Sequence, residues 1–126
     1  MADPVNAFLA FVPGLDLTVT TDQAILFHTS NYIVRRITFF NASKALNLAT
    51  GGLYTGPNKT GTQLVSALQA YATLTANDRY LDVTLPAALT TRVRNESLLY
   101  FSLTTPELNS GAMDIAIWGD IVTLGG

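Results

Sequence analysis

The chain has 126 residues, of which 48% are hydrophobic and only 13% charged, with no cysteine and a formal net charge of −2. That length suits one domain with a core of its own; the missing cysteines exclude a disulfide framework, a thiolate nucleophile and a thiolate metal site, and the faintly acidic balance lacks the clustered Lys and Arg that nucleic acid or acidic lipid requires. The charged share is about half that of an average soluble protein, which predicts that part of the outer surface is buried in an assembly.

Residues Met1 to Gly14 place Phe8, Leu9, Phe11 and Val12 between Pro4 and Pro13. An apolar stretch punctuated by proline is hard to seat inside a sheet, so residues 1–14 are read as an N-terminal arm lying on the body or on a neighbouring subunit. The run Ala7 to Val12 is too short to span a bilayer and follows no basic residue, so neither a membrane segment nor a signal peptide is expected, and synthesis and retention in a cytoplasm are. The triplets at Asn41, Asn58 and Asn95 that match a glycosylation acceptor are accordingly read as chance.

From Leu15 the body begins, residues 15–126. Leu15 to Thr20 alternates apolar and polar residues, and Ala24 to His28 follows the turn residues Thr21 and Asp22. Tyr32 to Asn41 is the longest β-branched and aromatic run and predicts the central strand. Strict alternation puts Ile33, Arg35, Ile37 and Phe39 on one face and Tyr32, Val34, Arg36, Thr38 and Phe40 on the other. Both faces are largely apolar, which predicts cover on two sides. The first set is assigned to the core, with an inward Arg35, and Arg36, Thr38 and Phe40 to a subunit interface.

Leu46 to Tyr54 reads as a strand with a bulge at Gly51-Gly52, and Gly56 to Gly61 as a loop. Thr62 to Leu74 is open between strand and a short helix or irregular crossover, because Leu64, Val65, Leu68 and Tyr71 recur at helical spacing. Tyr80 to Leu85, Ser97 to Thr104 and Met113 to Val122 complete a set of about seven or eight strands, and the long crossover favours an all-β, jelly-roll-like sandwich over a meander.

Nothing local announces catalysis. His28 is the single histidine and is read as a surface residue, and the carboxylates are dispersed. Asp114 and Asp120 would share a strand face about 20 Å apart, too far to cooperate. The glycines lack a phosphate-cradling frame. Arg35-Arg36 and Arg92-Val93-Arg94 are the basic clusters, too few beside Phe39, Phe40, Tyr100 and Phe101 to suggest a single-strand nucleic-acid platform. A non-enzyme without cofactor or metal is expected.

From Tyr32 to Asp120 the order Tyr-Ile-Val-Arg-Arg-Ile-Thr, Asn-Ala-Ser, Gly-Gly-Leu-Tyr-Thr, Thr-Gly-Thr-Gln-Leu-Val, Tyr-Leu-Asp-Val-Thr-Leu, Leu-Tyr-Phe-Ser-Leu-Thr-Thr and Ile-Trp-Gly-Asp resembles small β-rich proteins of tailed-phage and prophage structural modules, similar to capsid decoration (cement) proteins. The resemblance implies a homotrimer on the outside of the major capsid shell of a virion made in a bacterial cytoplasm, with the major capsid protein as partner and no catalytic residue. Arg36, Thr38, Phe40 and Trp118 are the expected subunit interface, and Phe8, Leu9, Phe11 and Val12 the expected capsid contact. A short head or tail fibre, a carbohydrate-binding tip with Trp118 stacking on sugar, and a tail-tube or head-completion protein are the alternatives.

Overall fold

The computed structural model describes residues 7–27, 29, 31–108 and 110–122. Residues 1–6 of the expected arm and the surface reading of His28 lie outside them. Among the described residues, eight strands run in the order β1 (Ala7–Asp16), β2 (Gln23–Leu26), β3 (Tyr32–Phe40), β4 (Thr50–Gly56), β5 (Thr60–Val65), β6 (Tyr80–Val83), β7 (Leu98–Thr105) and β8 (Ala112–Ile121), with one turn of helix, α1 (Ala87–Thr90), after Pro86. They form two antiparallel four-stranded sheets, β1-β8-β3-β6 and β2-β7-β4-β5. Every connection except the β4–β5 hairpin crosses between the sheets, which is the jelly-roll winding.

Alternation places Met113, Ile115 and Ile117 of β8 and Leu99, Phe101 and Leu103 of β7 in the core between the sheets. Phe39, Tyr71 and Phe101 meet edge-on or tilted at its centre, with ring centroids 4.9–6.1 Å apart, and Phe27 stacks on Tyr32 at 4.5 Å. Buried tyrosine hydroxyls need partners: Tyr71 donates to the Gly51 carbonyl (2.9 Å) and Tyr32 to that of Glu96 (2.7 Å). Burial pushes both phenols well above their usual pKa.

The expected arm is corrected. Ala7 to Gly14 belong to β1, an edge strand paired along its length with β8. Proline is admitted because β1 has a free edge and because Pro13 falls at a bulge between Val12 and Leu15. A second bulge lies between Phe8 and Ala10, and Leu9 and Ala10 are both buried beside it.

The expected division of faces on β3 is also corrected. Val34 pairs with Gly119 and Arg36 with Trp118, so Arg35 is an extra residue with no partner of its own, a β-bulge. One inserted residue reverses the alternation beyond it. Tyr32 and Val34 before the bulge and Ile37 and Phe39 after it therefore all enter the core, and both arginines emerge on the outer face. Gly119 permits the bulge by close approach: a Cβ there would stand 1.8 Å from the Ile33 carbonyl oxygen.

Elsewhere the elements are shorter than their patterns. β1 ends at Asp16, and β4 begins at Thr50, with a register shift between Thr50 and Gly51 where the glycine pair suggested one. Thr60–Val65 is strand, and the segment that follows turns irregularly with Leu68 exposed and Tyr71 and Leu74 buried, so the helical spacing is not realised.

Candidate functional site

The outer face of the β1-β8-β3-β6 sheet gathers most of the residues singled out above. Register builds it in rows: Phe8, Trp118 and Arg36 lie side by side across β1, β8 and β3; Phe11, Ala116, Thr38 and Asp82 form the next row; Asp114, Phe40 and Tyr80 form the third. Phe8 meets Trp118 edge-on at 5.7 Å and Phe11 at 6.2 Å, and Phe11 stacks on Phe40 at 6.1 Å. The small Ala116, buried between β1 and β3, leaves room for that last contact. Phe8 remains 57%, Phe11 43% and Tyr80 66% exposed, so a continuous aromatic band faces solvent, a feature that marks interaction surfaces on soluble proteins.

Both arginines of this face are paired within the chain, whereas Asp114 is met by amides alone. Arg35 bridges to Asp120 (2.8 Å) and Arg36 to Asp82 (3.0 Å), while the Arg36 guanidinium also sits 5.1 Å from the Trp118 ring centroid. Asp82 accepts a second hydrogen bond from the Thr38 hydroxyl. Burial pushes the Asp82 carboxyl up, but the Thr38 hydroxyl and the Arg36 guanidinium outweigh it and hold the group below its usual value of 3.8. The face therefore offers a partner aromatic area and little net charge.

Arg36, Thr38, Phe40 and Trp118 do share this face, with Thr38 buried and Phe40 and Trp118 half-buried. The four residues expected at the capsid separate. Phe8 and Phe11 join the same outer band, whereas Leu9 is 2% exposed in the chain's own core and Val12 packs against that core, so neither presents its side chain outward. Tyr80, Asp82 and Asp114 of this face went unnoticed as contributors, since each lies on a strand whose register to β3 cannot be read from spacing.

The two aspartates of β8 act apart. Asp120 serves Arg35, and Asp114 accepts from the Gly14 amide (2.9 Å) and the Asn41 side-chain amide (3.1 Å). Glu107 is buried and structural in its bonding: one carboxylate oxygen accepts the Leu48 and Ala49 amides, both at 2.6 Å. Arg94 of the second basic cluster is buried with its guanidinium on Glu96 (2.9 Å). Among the described residues no group of three His, Asp or Glu could hold a metal ion, and no helix is long and apolar enough to cross a membrane.

Comparison of the chain with protein-family models, with curated proteins and with solved structures gives no match.

Proposed function

We propose that this protein is a phage capsid decoration (cement) protein, a non-enzymatic homotrimer that binds the outside of the major capsid shell and stabilises the head. The observation that carries the reading is the outer aromatic band Trp118–Phe8–Phe11–Phe40, beside which Arg35 and Arg36 are already paired with Asp120 and Asp82 within the chain. A surface of this kind suits a neutral, apolar partner surface such as a second copy of itself or a capsid protein, because burying it leaves neither arginine without its carboxylate. The strand and turn motifs between Tyr32 and Asp120, which resemble those of phage structural proteins, point the same way. A rigid jelly roll with an extensive core also suits a protein that must hold capsomers together.

A sugar-stacking role for Trp118 is less well supported, since the Arg36 guanidinium lies over its ring and Phe8 abuts it. Neither neighbour leaves the indole as an open platform. The test is attachment to purified heads that lack this protein. The wild-type chain is expected to co-sediment with heads and to raise the temperature at which they release DNA. A Phe8→Ser, Trp118→Ser double variant, folded by circular dichroism, is expected to do neither. Attachment by the double variant at wild-type affinity would remove the aromatic band from the mechanism, and failure of the wild-type chain to attach would remove the decoration role.

A further inference from the structure

At the end of the β1-β8-β3-β6 sheet where β3 stops, the turn at Asn41 to Lys44, the segment Thr75 to Asn77, Gly14 and the start of β8 line an open cleft of about 540 Å³, within the size range of small-molecule sites. At one wall lies the carboxylate of Asp114, on a residue only 9% exposed. Its Oδ1 accepts the Gly14 amide and its Oδ2 the Asn41 side-chain amide. A carboxylate has about four acceptor positions, so each oxygen keeps one open.

The rest of the lining has the same character. Asn41, held at φ 55, has its amide nitrogen fixed by Asp114 and keeps its side-chain carbonyl as an acceptor. Ser43 accepts the Ala112 amide at 3.0 Å and retains a hydroxyl proton to donate. Thr75 and Asn77 line the cleft on an exposed turn.

A buried, oriented carboxylate beside an amide and flanked by hydroxyls matches the vicinal hydroxyls of a sugar ring. Adjacent hydroxyls donate to the carboxylate and accept from the amide and hydroxyl donors. Lys44 also lines the cleft, so its ammonium and the Asp114 carboxylate balance and no net charge selects an ion, while one carboxylate offers a cation too few oxygens. We propose that the cleft binds a neutral hexopyranose through Asp114 and Asn41. The inference goes beyond the assembly role and does not depend on it, because most of the lining comes from turns at the end of the sandwich.

The test is an amide-detected NMR titration of the full chain with glucose, galactose, mannose and N-acetylglucosamine, each to about 50 mM, which reaches weak, millimolar-range sites. With at least one sugar, saturable shifts are expected at Gly14, Asn41, Ser43 and Asp114. Asp114→Asn should abolish them. Thr75→Val and Asn77→Ala alter cleft side chains that make no hydrogen bond to the remaining described residues, so they should weaken binding by about tenfold with the melting temperature unchanged, and they decide the matter if the Asp114 variant does not fold. Trp118→Ser should bind as wild type. The proposal is overturned by the absence of saturable shifts with all of these sugars, by shifts centred on Phe8 and Trp118, or by wild-type binding in the cleft variants.

Discussion

Phe8 and Leu9 are neighbours in the chain with opposite surroundings, and that contrast gives the sharpest test of β1 as an integral strand. Leu9 is 2% exposed and near Gly119, with its Cδ1 2.9 Å from where a Cβ on that glycine would lie. Replacing it by alanine removes buried methyl groups and leaves a cavity in a core that cannot close freely, at a cost of about 2–5 kcal/mol. For a domain of this size each kcal/mol lowers the melting temperature by about 3–5 °C, so Leu9→Ala should melt on the order of 10 °C lower. Phe8→Ala loses an exposed ring and should change the melting temperature of the dilute monomer little, while weakening self-association at higher concentration. The assay is thermal denaturation by circular dichroism over a concentration series. Were residues 7–14 an arm without a place in the sheet, Leu9→Ala would melt with the wild type at every concentration, and that result would refute the packing argument.

Four further outcomes are expected. Arg35→Ala and Arg36→Ala should each lower stability by less than about 1 kcal/mol in urea titration, because both guanidiniums are solvent-exposed; a large loss for Arg35 alone would restore an inward-facing guanidinium. Gly119→Ala should cost about 3 kcal/mol or more, since its Cβ overlaps the backbone of the β3 bulge, and a neutral result would mean that the bulge relaxes freely. Glu107→Ala leaves two amides without their acceptor and should cost roughly 2–5 kcal/mol, whereas Glu107→Gln, which can present one carbonyl oxygen to both amides, should recover most of that in the same titration. Because the folded Asp82 carboxyl titrates below 3.8, its contribution is present above that value and is lost as pH falls through the lower folded value; urea midpoints taken down the acid range should fall less steeply for Asp82→Asn than for the wild type.

Much of the architecture was legible because β7 and β8 alternate without interruption. Met113, Ile115 and Ile117 against Asp114, Trp118 and Asp120 can be divided between faces by counting in twos. β3 could not be divided that way, since a bulge is a property of two strands: the signal was Gly119, 84 residues beyond Arg35 and recognisable only once β3 and β8 are known to pair. Pro13 misled for the opposite reason, its tolerance resting on an edge position and a bulge that no local pattern specifies. Trp118, Phe40 and Arg36 were placed on one face correctly, but the cross-strand rows that bring Phe8 and Phe11 to them follow from β1 pairing with β8, an association between the two ends of the described chain. The Asp114 cleft was invisible for the same reason, as its carboxylate is oriented by Gly14 and Asn41, each distant in sequence.

The proposed role is tested most directly by cryo-electron microscopy of the parent virion at a resolution that distinguishes strands. The account predicts the jelly roll in three copies about local or strict threefold axes on the outer capsid surface, with Phe8, Phe11, Phe40 and Trp118 enclosed in protein contacts. Density for the fold on the tail or at a fibre tip, or on the capsid with this aromatic band open to solvent, would contradict it.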